Sequence, residues 1–179
     1  MTTIIGLEYE DHAIIIADSQ TTDENGYVYN HPEVKKISER GSYLVAGSGE
    51  TLPCDIAQHI WEPPVPTKAD KKDLYHFMIA KVMPSLRKCL SDNGYNFEDG
   101  TKELRFQFII AINGELFDID QECSVSKSAS NVYAAGSGAP YVLGAIHAGA
   151  DAYEAMEIAS KLTAFTAGPY LSKTQSRLI

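Results

Sequence analysis

The chain has 179 residues, of which 44% are hydrophobic and 22% are charged, and its formal net charge is −9. A chain of this length and composition can bury a sizeable core, so we expect residues 1–179 to form a single globular domain. The negative charge argues against nucleic acid as a partner, because phosphate binding needs a basic face.

The spacing of cysteines and histidines gives no sign of a metal or an organic cofactor. The three cysteines are far apart, and the five histidines lack the spacing of metal ligands. We therefore expect no metal, no cofactor and a reducing, cytoplasmic setting. No apolar run approaches about 18–20 residues, and the first residues do not resemble a signal peptide, so we expect neither a membrane span nor export by that route.

The first predicted element is a β-hairpin. Residues 4–9 and 13–17 are apolar runs on either side of the turn Glu10–His12. The second strand is apolar on both faces, which indicates a sheet that is covered on both sides. The hairpin places the pair Thr2–Thr3 and the carboxylate of Asp18 at the same end of a sheet.

More strands precede the first helices. The sequence predicts an extended piece at 27–29, a break at Pro32, and a hairpin whose strand 42–46 runs into Gly47-Ser48-Gly49. Helical spacing then begins at Pro53, and a longer helix is predicted from about residue 71 to about residue 92.

Two residues define the expected shape of that longer helix. Pro84 lies inside it and lacks the N–H of an intrahelical bond, so we expect a kink there. The pair Asn93-Gly94 is a typical stop signal.

The second half of the chain repeats the order of strands followed by helices. Its strongest local signal is Asn113-Gly114, which favours a two-residue hairpin turn. The predicted elements are strands at 104–112, 115–120 and 132–135, helices at 139–148 and 153–165, and a short strand after Pro169. Such segregated blocks indicate an α+β fold with sheets between helical layers.

Thr2 is a candidate nucleophile. A threonine hydroxyl attacks poorly until a base takes its proton, and a free α-amine with an unperturbed pKa of about 7.7–8 can be that base. The amine of Thr2 becomes free only if Met1 is removed, which a small second residue permits. The sequence therefore predicts an N-terminal-nucleophile hydrolase.

Five short motifs occur in the order found in proteasome β-type subunits. They are Thr2-Thr3-Ile4-Ile5, Ala17-Asp18-Ser19, Val34-Lys35-Lys36-Ile37, Ala46-Gly47 and Gly136-Ser137-Gly138. The chain resembles this family over nearly its whole length, most closely the bacterial and phage branch that includes HslV-type peptidases. The resemblance implies a four-layer αββα sandwich of the N-terminal-nucleophile type and threonine peptidase activity.

The resemblance also implies the site residues. Thr2 matches the nucleophile, with its amine as general base, and Asp18 and Lys36 match the family's aspartate and lysine. A buried ion pair between these two would lower the pKa of nearby groups and favour a deprotonated Thr2. The N–H of Gly47 matches the oxyanion donor, and Ser137 matches a serine beside the terminal amine.

One position departs from the family pattern. In the family, an aspartate after the last helix supports the serine and the terminal amine, whereas this chain has no acidic residue after Glu157. Thr166 or Ser172 can substitute as a hydrogen-bond acceptor, but neither carries a charge. The departure concerns catalytic efficiency rather than the fold.

The resemblance further implies partners. It predicts a homo-oligomeric ring, peptides or unfolded proteins as substrates, and an ATP-driven unfoldase. Two alternatives stay open: a ring-forming structural homologue without efficient chemistry, and an amidase of the same fold that acts on small amides.

Overall fold

The computed structural model describes residues 2–23, 25–30, 34–98 and 106–177. Met1, the predicted break at Pro32 and the predicted strand start at Leu104 lie outside these residues. The strands are β1 Thr3–Glu8, β2 His12–Ala17, β3 Thr21–Thr22, β4 Val28–Tyr29, β5 Ile37–Arg40, β6 Tyr43–Gly49, β7 Phe106–Ile112, β8 Glu115–Ile119, β9 Val125–Ser126, β10 Val132–Gly136 and β11 Leu171–Ser176. The helices are α1 Thr51–Asp55, α2 Leu74–Phe77, α3 Met83–Asp92, α4 Ala139–His147 and α5 Ala152–Leu162.

Two antiparallel sheets form the centre of the molecule. The first sheet has the order β10-β1-β2-β11, and the second has the order β5-β6-β7-β8-β9. A separate small sheet pairs β3 with β4. The register of β1 with β2 sets Ile4 opposite Ala17, so the predicted hairpin is confirmed.

Three apolar clusters divide the molecule into four layers. One cluster fills the space between the two sheets and contains Ile4, Ile15 and Ile109. A second lies between the five-stranded sheet and helices α1 to α3, with Trp61 and Leu86 among its members. A third packs helices α4 and α5 against the outer face of the four-stranded sheet. The order helix, sheet, sheet, helix is the predicted αββα sandwich.

The strongest local signals of the sequence are confirmed. Asn113 and Gly114 both have positive φ angles, 51° and 74°, as a two-residue turn between β7 and β8 requires. Gly94, with φ at 90°, ends α3. Both turns need the left-handed conformation that Gly and Asn adopt most readily.

A wide turn precedes Pro84 in this helical region. A π-helical turn, Met78–Val82, joins α2 to α3, and the kink expected at Pro84 stays a prediction. The N–H of Met83 donates to the carbonyl of Met78, five residues back, in place of the usual four. Pro84 lies in the first turn of α3, directly after this wider turn.

Three strand features were not predicted. Strands β3 and β9 span only two residues each, which is too few for any periodic pattern. Strand β6 continues through Gly47-Ser48-Gly49, which pairs with residues 106–108 of β7.

Among the described residues, no helix is long and apolar enough to cross a membrane.

Candidate active site

The hairpin of β1 and β2 joins Thr3 directly to Asp18. The N–H of Thr3 donates to Oδ1 of Asp18 over 2.8 Å, and the N–H of Asp18 donates to the carbonyl of Thr3 over 3.1 Å. Thr3 and Asp18 are fully buried, and Thr2 is only 7% exposed. The peptide that joins Thr2 to Thr3 therefore lies against the carboxylate.

Lys36 contacts the same carboxylate oxygen. Its Nζ lies 2.7 Å from Oδ1 of Asp18 and also donates to the carbonyl of Gln20. The lysine is 7% exposed, so the ion pair expected from the sequence is present and shielded from water. One oxygen of Asp18 thus connects the ammonium of Lys36 with the backbone of Thr3.

Burial shifts both members of this pair. Loss of solvent raises the pKa of Asp18 above its usual range, opposed by Lys36 and by the neighbouring N–H groups of Thr3 and Ala167. Loss of solvent also lowers the pKa of Lys36, opposed by Asp18. In the described part of the chain, Oδ2 of Asp18 is buried without a hydrogen-bond partner. Burial therefore disfavours the charged form of each partner, while the pairing favours it.

Gly136 sets the close packing around Thr2. Its φ is 87°, and a Cβ atom there would lie 2.0 Å from the carbonyl oxygen of Thr2. The same atom would lie 3.4 Å from Cβ of Ser48, so Thr2 is enclosed by β10 on one side and by the end of β6 nearby. A side chain at position 136 would displace the predicted nucleophile.

Gly47 lies at the end of β6 that faces Lys36. Its N–H donates to the carbonyl of Lys36 at 3.4 Å, longer than a usual N–H···O bond. A Cβ atom at this position would lie 2.9 Å from both Sγ of Cys54 and Cε1 of Phe108. Core side chains therefore occupy the space that a side chain at position 47 would need.

Ser137 is placed next to the threonine pair by its neighbours. Gly136 packs on Thr2, and Gly138 packs on Thr3, where a Cβ would lie 2.0 Å from Oγ1. The side chain of Ser137 itself is exposed, and it makes no hydrogen bond to another described residue. Its predicted contact with the terminal amine stays a prediction.

Thr166 lies in the loop after α5, the stretch that lacks the acidic residue expected from the resemblance. It is 2% exposed, and its Oγ1 is in hydrogen-bond contact with Oγ1 of Thr3. Ser172, the other candidate, is exposed on β11 opposite Ile16. Of the two substitutes weighed from the sequence, Thr166 is therefore the one that reaches the buried threonine pair.

Gln20 is a site residue that sequence reasoning missed. Its carbonyl accepts from Lys36, and its side-chain Nε2 donates to Oγ1 of Thr22 over 2.8 Å and to the carbonyl of Ala164 over 2.7 Å. The contact with Lys36 uses the backbone carbonyl of residue 20, which every residue type has. The identity of Gln20 therefore could not have indicated that contact.

Comparisons based on sequence identify no relatives of this chain. No family model matches it, and no curated protein matches it either.

Solved structures do share its fold. BPH from Thiobacillus denitrificans is 20% identical, with a TM-score of 0.67 over 98% of each chain. The same protein in complex with Epoxomicin is 19% identical and has the same TM-score, over 99% of this chain and 100% of that one. Eukaryotic HslV from Trypanosoma brucei is 18% identical, with a TM-score of 0.63 over 97% of this chain and 99% of its own. The predicted fold class, an αββα sandwich of the proteasome and HslV type, is confirmed.

Proposed function

We propose that this chain is a threonine-type peptidase subunit whose nucleophile is Thr2 after removal of Met1. The observation that carries the proposal is the buried ion pair between Lys36 and Asp18, which lies against the peptide that joins Thr2 to Thr3. A buried charge pair of this kind is costly, and such arrangements cluster where a reaction needs shifted pKa values.

The chemistry proceeds in two stages. The α-amine of Thr2 takes the hydroxyl proton as Oγ attacks the carbonyl carbon of a peptide bond. The C–N bond breaks, the leaving amine receives the proton, and the acyl group stays on Thr2 as an ester. Water then hydrolyses that ester with the same amine as base. The cation of Lys36 favours the neutral form of the amine throughout.

The proposed oxyanion donor is the N–H of Gly47. Its present bond to the carbonyl of Lys36 is long, at 3.4 Å, so a developing oxyanion can compete for the same N–H. An oxyanion is the stronger acceptor because it carries a full charge.

The end of β6 offers a place for a peptide substrate. Pairing of β5 with β6 ends at Ile37 and Ala46, whereas pairing with β7 continues to Gly49. On the β5 side the N–H of Gly47 still bonds the carbonyl of Lys36. Beyond that bond, residues 48–49 have a strand neighbour on the β7 side and, among the described residues, none on the β5 side. An extended peptide can add there as a further strand.

A ring of identical subunits is part of the proposal, with an ATP-driven unfoldase as a partner. The structural likeness to HslV supports the peptidase assignment, and the Epoxomicin complex of the Thiobacillus denitrificans protein supplies a probe. The bacterial or phage branch and the cytoplasmic setting likewise stay predictions.

The decisive experiment combines intact mass with covalent labelling. We expect the purified chain to begin at Thr2 and to gain the mass of one molecule of Epoxomicin. Thr2→Ala should abolish labelling and lower peptide hydrolysis at least about a thousandfold. Thr174→Ala, which removes an exposed threonine from β11, should leave both unchanged.

The alternatives predict different results. A structural homologue without efficient chemistry is favoured by the neutral Thr166 next to Thr3, and it would keep the ring but neither bind the probe nor cleave peptides. A chain that begins at Thr2, is folded and remains unlabelled would overturn the peptidase proposal. Turnover of a small acylated amide, without cleavage of peptides or casein, would identify the amidase.

A further inference from the structure

The loop between α5 and β11, residues 163–170, is hydrogen-bonded to the segment that follows β2. The carbonyl of Ala164 accepts from Nε2 of Gln20 over 2.7 Å, and the carbonyl of Ala167 accepts from the N–H of Ser19 over 3.3 Å. These two bonds lie on either side of residues 165–166 in the loop. The backbone on both sides of Thr166 is therefore held by hydrogen bonds to residues 19–20.

The hydroxyls of Thr166 and Thr3 meet in a closed space. Their Oγ1 atoms are in hydrogen-bond contact, and both residues are almost completely buried. Gly138 packs against both hydroxyls: a Cβ atom there would lie 2.0 Å from Oγ1 of Thr3 and 3.0 Å from Oγ1 of Thr166. The space has no room for a larger group, and water reaches neither hydroxyl freely.

Thr3 is consequently fixed from two directions. Its N–H is bound to Asp18 and its side chain is bound to Thr166. A residue that is fixed at both its backbone and its side chain has little freedom to rotate. The planar peptide bond carries this constraint back to the carbonyl and the Cα atom of Thr2.

We infer that Thr166 is a positioning residue for the proposed nucleophile. It acts through Thr3, which holds in place the Cα atom that bears the amine and the hydroxyl-carrying side chain of Thr2. The inference rests on the proposed function for its catalytic consequence, whereas the positioning itself is a property of the fold. A hydroxyl pair carries no charge, so this chain would orient Thr2 without the acidic residue that the resemblance leads one to expect.

The test compares two substitutions at one position. Thr166→Val keeps the shape of the side chain and removes its hydroxyl, and Thr166→Ser keeps the hydroxyl. We expect the valine variant to lower kcat by about tenfold or more, since small misplacements of reacting groups are costly, with KM within about twofold of the wild type. The serine variant should recover most of kcat. If the valine variant does not fold, Thr166→Ala takes its place.

A second readout does not depend on activity. The amide of Thr3 donates to Asp18, so hydrogen exchange at this amide reports on how firmly Thr3 is held. Thr166→Val should accelerate that exchange about tenfold or more and leave the amide of Ile5, two residues along β1, unchanged. Thr174→Val, on the exposed face of β11, is the matched control.

The outcomes separate the two proposals. Unchanged kcat together with unchanged exchange at Thr3 would overturn the positioning role. Equal loss of kcat in the valine and serine variants would also overturn it, because a steric effect and not the hydroxyl would then be responsible. A wild-type chain that begins at Thr2 but is inactive would defeat the proposed peptidase, while faster exchange in the valine variant would still support positioning by Thr166.

Discussion

The ion pair at the centre of the site has two consequences for activity that can be measured. Burial lowers the pKa of Lys36 below its usual value of 10.5, so the cation is lost at a lower pH than in an exposed lysine. The amine of Thr2 must be neutral to act as a base, and its unperturbed pKa is about 7.7–8. Activity should therefore rise with pH as the amine deprotonates and fall again, below pH 10.5, as Lys36 deprotonates.

Lys36→Met tests this assignment. Without the cation, the pKa of the Thr2 amine rises, so the acid limb of the profile of kcat against pH moves to higher pH. The alkaline limb that belongs to Lys36 disappears. Removing one member of a buried pair also destabilises the fold, by about 3–5 kcal/mol, which a urea titration would measure.

The neighbouring lysine supplies the control for this variant. Lys35 is exposed, so Lys35→Met removes the same charge one residue away and should leave both limbs and the urea midpoint in place. An alkaline limb that persists in Lys36→Met would show that another group produces it.

Single residues differ in how far the sequence could predict them. The adjacency of Thr3 and Asp18 follows from hairpin register, since apolar strands of similar length around a short turn bring their far ends together. The placement of Lys36 came only from the family resemblance, because the long segment between it and Asp18 has no periodic pattern that would fix their distance. The choice of Thr166 over Ser172 depends on where the loop after α5 turns, and no local pattern encodes that.

At the scale of elements, α5 matters because it leads into the loop that carries Thr166. Asp151 caps the helix by accepting from the N–H groups of Tyr153 and Glu154, and the carboxylate of Glu154 accepts from the N–H of Asp151. This reciprocal arrangement satisfies N–H groups that have no partner within the helix.

Asp151→Ala should cost about 0.5–2 kcal/mol of unfolding free energy, measured by urea denaturation. Asp151→Asn keeps an oxygen acceptor at the cap and should retain most of that stability. Equal losses in the two variants would mean that the charge, and not the hydrogen bonds of the cap, stabilises this end of α5. Because the loop of Thr166 begins after the far end of the helix, hydrogen exchange at Thr3 should change little in either variant.

Elements with a strong local signal were predicted well, and those decided by tertiary packing were not. Asn113-Gly114 specifies its turn by backbone conformation alone. Pro84, by contrast, does not indicate the wide turn before it, in which the buried residues Met78 and Val82 lie. Two-residue strands such as β9 exist only because a neighbouring strand is present to pair with them.

The whole molecule combines a strong negative charge with exposed apolar side chains on two adjacent helices. Tyr141 on α4 and Tyr153, Ile158 and Leu162 on α5 are each exposed to between 38% and 58% of their surface. Exposed apolar side chains that lie together on one layer favour association with another surface. Copies that each carry a net charge of −9 repel one another until salt screens them.

The proposed self-association should therefore become stronger as the salt concentration rises, whereas a complex held by opposite charges becomes weaker. We expect light scattering to report a mass well above the 19.6 kDa of one chain, with a larger assembled fraction at about 0.3 M salt than at about 0.03 M. Leu162→Lys adds a charge to the apolar surface of α5 and should shift the equilibrium toward single chains. Val65→Lys makes the same change at an exposed position away from these helices and should have no effect. A mass of 19.6 kDa at every salt concentration would contradict the ring, and with it the enclosed site that a ring of peptidase subunits would form.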